Sequence, residues 1–105
     1  MVAVKVNPGV CGLNTTIKAE SEDMEVVRID IDSQCPHITA MGDLIKELDG
    51  YTECFAKLGS GDIYKAANQK CKHAACPVPS AMVKAVEVAC GLALPADVSF
   101  TVLKD

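Results

Sequence analysis

Tryptophan is absent, and two tyrosines and two phenylalanines are the only aromatic residues in a chain of 105. So few flat rings leave few platforms on which bases could stack. Positive charge is scarce as well: 10 Lys and Arg stand against 14 Asp and Glu, a formal net charge of −4. A chain of that sign has no broad basic face to neutralise a phosphate backbone, so nucleic acid is excluded as the expected partner. No run approaches the roughly 18 apolar residues of a membrane span. The opening Met1-Val-Ala-Val-Lys-Val-Asn-Pro alternates like a strand and lacks the basic start and long apolar core of a secretory leader. The expected location is the cytoplasm, where thiols are kept reduced. Phosphate loops, dinucleotide fingerprints and hydrolase elbows are also missing, since Gly59-Ser60-Gly61-Asp62 has neither the lysine nor the spacing of a phosphate cradle.

What the chain has is thiols. Six cysteines, Cys11, Cys35, Cys54, Cys71, Cys76 and Cys90, fall in a composition that is otherwise half hydrophobic and 23% charged. That balance is globular, and the length allows one domain over residues 1–105. The cysteine spacings are irregular for a disulfide scaffold. Without a leader, such a set points to metal binding or thiol chemistry.

The hydrophobic period places these thiols on a fold. Val2, Val4 and Val6 alternate with Ala3, Lys5 and Asn7. Leu13 to Glu20 alternates next, then Val27, Ile29 and Ile31 against Arg28, Asp30 and Asp32. Three such runs with short links predict an antiparallel meander whose third strand has an acidic solvent face. After Cys35-Pro36 the period becomes helical, with Ile38, Met41, Ile45 and Leu48 on one stripe, Pro36 in the first turn and Gly50 as the stop. Asp62 reads as the N-cap of a short helix through Ala67. Cys71 to Pro79 reads as a break, and Ser80 to Cys90 as an apolar, buried helix. Val98, Phe100 and Val102 alternate once more and predict a last strand. The expected fold class is α+β: a four-stranded, mainly antiparallel sheet in the order β-β-β-α-α-α-β, with helices on one face.

Because short links reverse the chain at each element, counting directions predicts where each thiol falls. Cys11, Cys35, Cys71 and Cys76 collect at one end of the domain, and Cys54 and Cys90 at the other. Two helices begin beside the first group, just after Cys35 and just after Cys76, and helix N-termini favour thiolate over thiol. Four thiolates match the ligand count of tetrahedral zinc or an iron–sulfur cluster. The expected cofactor is therefore zinc or an iron–sulfur centre held by Cys11, Cys35, Cys71 and Cys76, with His73 as a substitute ligand. Its role would be structural, electron-transfer or sensing, without a substrate of its own.

Other residues receive plainer readings. Cys54 and Cys90 are expected to be core filler. His37, at a helix start, is expected to stay neutral and hydrogen-bond nearby, and His73 otherwise to be an exposed loop residue. Cys76 with either histidine would make an activated nucleophile, but no oxyanion loop or third member accompanies them. Asp30, Asp32, Asp43 and Glu47 read as solvated surface, lacking the spacing of a calcium loop.

Cys76-Pro77-Val78-Pro79, opening a helix, resembles the Cys-Pro-x-Pro motif of the TusA/SirA sulfur-carrier family. That resemblance covers roughly the last 30 residues and implies a persulfide carried on Cys76, with a protein partner in sulfur transfer. Cys71 is then a resolving thiol. On the pattern from His73 through Pro95, the whole chain also resembles small uncharacterised cysteine-rich proteins of anaerobic prokaryotes, a resemblance that implies no function. The third reading is an interaction domain whose thiols are reduced and buried.

Overall fold

The computed structural model describes residues 1–105. The three alternating runs form strands β1 (Val2–Val6), β2 (Thr15–Glu20) and β3 (Val26–Ser33). They pair antiparallel in sequence order, with Val4 opposite Ile17 and Ile17 opposite Ile31. Successive side chains of a strand point to opposite faces, so this register gathers the apolar residues on one side. Val6, Ile17, Ala19, Val27 and Ile29 are buried there. The other face is charged and solvated: Lys18 stands across from Asp30, and Arg28 reaches Glu20 at 3.6 Å and Glu22 at 3.3 Å. Asp30, Asp32 and Glu47 are exposed, and Asp43 pairs with Lys46 at 3.4 Å.

Four helices cover the apolar face: α1 (Pro36–Leu44), α2 (Gly50–Phe55), α3 (Asp62–Lys70) and α4 (Val78–Ala89). α4 packs across β1 and β2, while α1 lies on β3 and against α3. Ile17, Val27, Met41, Ile63, Val78, Met82 and Val86 are fully buried between the layers. Removing one such side chain from water contributes about 1.5–3 kcal/mol. The architecture is the α+β sheet-and-helix layer that the sequence predicts. No helix is long and apolar enough to cross a membrane.

The fourth strand is not where the sequence places it. It is β4 (Glu47–Asp49), antiparallel to β3 with Leu48 opposite Val27, in the sheet order β1-β2-β3-β4. The first helix therefore stops at Leu44, because the buried Leu48 serves a strand and not a helical stripe. Gly50 opens α2 instead of ending α1. Its amide donates to the Glu25 carbonyl at 2.6 Å, and a Cβ there would fall on Cys90 Sγ. Pro79 lies inside α4, not before it, in the first turn where no amide donor is needed. Asp62 is the first residue of α3, and Gly61 is its cap. Val98, Phe100 and Val102 pair with nothing: residues 92–105 carry no strand, and all three side chains are exposed. The alternation is present there, but no neighbouring backbone completes a ladder.

Candidate functional site: a three-thiol pole

One end of the molecule is built from the end of β1, the start of β2, the end of β3 and the starts of α1 and α4. A chain of hydrogen bonds ties it together. Thr15 Oγ1, on a residue only 2% exposed, lies 2.7 Å from Ser33 Oγ, which accepts the Cys35 amide at 3.1 Å. Gln34 clamps the β1–β2 loop from the other side, its amide donating to the Asn14 carbonyl at 3.0 Å and its side chain accepting the Asn14 amide at 2.9 Å. These contacts hold Cys35 as the N-cap of α1, with Pro36 in the first turn. Its thiol makes no capping hydrogen bond.

Cys71 follows α3 directly as its C-cap, its amide donating to the Ala67 carbonyl at 2.8 Å. Its thiol turns inward and donates to Met41 Sδ at 3.6 Å. Five residues later Cys76 closes a turn, its amide donating to the His73 carbonyl at 3.2 Å, and Pro77 then caps α4. Cys35, Cys71 and Cys76 are each half-buried and packed against the core. Burial pushes the Cys71 thiol above the ordinary thiol range, and proximity to Cys76 and then Cys35 pushes it further. Cys71 thus has the two other thiols, from separate segments, near enough to act on it.

Cys11 is at the same pole but outside this group. It stands exposed on the β1–β2 loop and is not among the thiols that act on Cys71. His73 and His37 are exposed. No group of three or more His, Cys, Asp or Glu side chains is arranged to hold a metal ion. Of the four predicted ligands, Cys35 and Cys76 thus lie near Cys71, and Cys11 stands exposed on its loop.

Cys54 and Cys90 occupy the opposite pole. Cys54 lies on α2, where burial together with Glu87, Cys90 and Glu53 pushes its thiol up to about 11. Cys90, the buried C-cap of α4, is raised by burial and then by Asp23 and Asp49. Both thiols are held protonated at neutral pH, which suits packing and not attack.

The sequence reading passes over Glu53. It is only 6% exposed, and its carboxylate accepts the amides of Asp62 at 2.8 Å and Ile63 at 2.9 Å, capping α3 from another helix. Since α3 ends on Cys71, this cap also fixes one of the three thiols. Local spacing carries no sign of it, because donor and acceptor come from separate elements. Met41 is passed over for the same reason; its helical period shows burial and not the thiol beside it.

The model of a family described as a family of unknown function (DUF6951) matches residues 2–102. Neither the curated proteins nor the solved structures contain a match to the chain.

Proposed function

The chain belongs to this family, and we propose that it is a thiolate protein in which Cys35, Cys71 and Cys76 hold zinc or an iron–sulfur centre. Its role is structural, electron-transfer or sensing, and a partner protein would exchange the electrons. The carrying observation is Cys71, half-buried beside both other thiols at a pole where two helices begin. Thiolates from separate segments favour zinc or iron, and the positive ends of two helices favour the negative charge of a metal–thiolate unit. Loading requires the three thiols to lose protons and rotate toward one point, with Cys11 on the adjoining loop as the fourth sulfur. Six free thiols suit a reducing compartment, which makes the cytoplasm the proposed location.

Purification without oxygen, followed by a visible spectrum and iron, zinc and sulfide analysis, tests this reading. A coloured protein with sulfide, or a colourless one with stoichiometric zinc, supports it, and Cys71→Ser should then lose most of the metal. A protein that takes up neither zinc nor iron and sulfide overturns it.

A second reading is favoured by one observation. Cys76 directly precedes Pro77-Val78-Pro79, and the structure sets Val78 and Pro79 as the buried first turn of α4. This is the segment that resembles the Cys-Pro-x-Pro motif of sulfur carriers. In that role the Cys76 thiolate takes the outer sulfur of a donor persulfide and releases the donor as a thiol. Mass spectrometry then finds one added sulfur on Cys76 of the metal-free protein. Cys76→Ser abolishes the gain and Cys11→Ser leaves it.

A further inference from the structure

We propose that residues Val98–Val102 form a strand on the free edge of β1 of a second copy of this chain, in a reciprocal exchange that closes a two-fold dimer. β1 and β4 are the two edge strands of the sheet; β4 is only three residues long and carries Glu47 and Asp49, whereas β1 runs for five residues and pairs only with β2. Its outer edge therefore offers unpaired amides and carbonyls along Val2-Ala-Val-Lys-Val. Natural edge strands are blunted by charge, proline or a cover, and here Lys5 is the one charged residue. Across the same five-residue length, the tail offers Val98-Ser-Phe-Thr-Val. In both segments three apolar side chains alternate with two small or polar ones. Pairing them sets Val98, Phe100 and Val102 beside Val2, Val4 and Val6 on the helix-covered face, and Ser99 and Thr101 beside Ala3 and Lys5 on the solvated face.

The tail does not reach its own edge. Val98 is 63% exposed, Phe100 78% and Val102 91%, and the long axis of the molecule is 47 Å against 27 and 25 Å across. The connection that carries it outward is stiff at one point. Pro95 fixes its own φ and biases Leu94 to extended backbone, which directs the strand away from the body. A segment that suits an edge but is aimed away from its own is the arrangement of an exchanged strand, a low-cost route to a dimer. Because the exchange is reciprocal, both tails and both β1 edges are used within one dimer, and this pairing does not propagate to further copies.

Sedimentation velocity of the full chain over a dilution series, with reductant present to remove intermolecular disulfides, tests the proposal. A dimer is expected. Phe100→Asp, at a position exposed within one copy, should raise its dissociation constant by roughly 30-fold or more, with an unchanged circular dichroism spectrum. Hydrogen exchange should show protected amides in 98–102 and in β1 of the dimer, with the tail protection lost in the variant. A monomer at every concentration overturns the proposal, whether its tail amides are protected by its own β1 or exposed. A dimer that Phe100→Asp leaves intact overturns it too.

Discussion

Glu53 reaches the first turn of α3 across Gly61, which has no side chain to stand in its way. A Cβ at residue 61 would stand 2.9 Å from Glu53 Oε1 and 3.2 Å from its Cδ, within the approach that the two capping hydrogen bonds require. Two unpaired amides and a buried carboxylate satisfy one another across two helices.

Separating them should be costly. Glu53→Ala leaves the Asp62 and Ile63 amides without their acceptor, a loss of about 1–3 kcal/mol for each buried group left unpaired. Gly61→Ala pushes the same carboxylate away and should destabilise in the same direction. Glu53→Gln keeps one acceptor oxygen and should fall between the parent and Glu53→Ala. Urea unfolding midpoints give the order, and thiol accessibility at Cys71, the residue that ends α3, should rise along with the loss of stability.

Gly50 and Cys90 form a second close fit at the opposite pole. A Cβ on residue 50 would collide with Cys90 Sγ and press on the Glu25 carbonyl at 3.2 Å. Gly50→Ala should therefore destabilise by about 1–3 kcal/mol, the usual cost of overpacking a core. Cys90→Ala removes the sulfur and should recover part of that loss in the double variant. Purely additive effects in thermal unfolding would show that the sulfur is not the obstacle.

The thiols should react in an order set by exposure and burial. Cys11 is exposed, whereas burial and neighbouring negative charge hold Cys54 up to about 11. At about pH 8 iodoacetamide should label Cys11 well before Cys54 in the folded chain. Raising the pH should speed labelling of Cys54 until the solution approaches its raised value. Mass mapping of labelled peptides against time checks both statements.

Stability should decline in alkali. Cys54, Cys71 and Cys90 all titrate above the ordinary thiol value of 9.0 when folded. Between that value and about 11 for Cys54, the unfolded chain has released protons that the folded chain retains. Higher pH then favours unfolding, so their contribution is complete below the unfolded value and fades as pH rises through the folded one. The urea midpoint should be lower at about pH 10.5 than at about pH 8, and Cys54→Ala should flatten the difference.

The meander was legible because period-two alternation is a local signal and each strand has one wet face. Pro36 likewise marked the start of α1 without help from the rest of the chain. β4 was hidden by coincidence. Ile45 and Leu48 continue the helical stripe of Ile38 and Met41, and only the pairing of Leu48 with Val27 makes residues 47–49 a strand. The tail fails in the opposite way: its pattern suits a strand, but strand formation needs a partner backbone that this chain does not bring to it. Counting chain reversals brought Cys35, Cys71 and Cys76 to one pole, and Cys54 and Cys90 to the other. The position of Cys11 shows the limit of such counting, which assigns an end of the molecule and not the direction of a side chain. Glu53 lay beyond any spacing rule, since its acceptor role exists only after α2 and α3 have packed.

Strand order that copies chain order also bears on how the molecule assembles. The β1–β2 and β2–β3 hairpins close over short loops at little entropic cost, and β4 joins through α1, so the sheet can form early from its own neighbourhood. The distant closure falls to α4, which must return across some 60 to 80 residues to lie on β1 and β2. Until it docks, Val4, Ile17 and Ala19 face water. Docking α4 buries Met82 and Val86 in the core, and the same step brings Cys76, just before that helix, to the pole of Cys71.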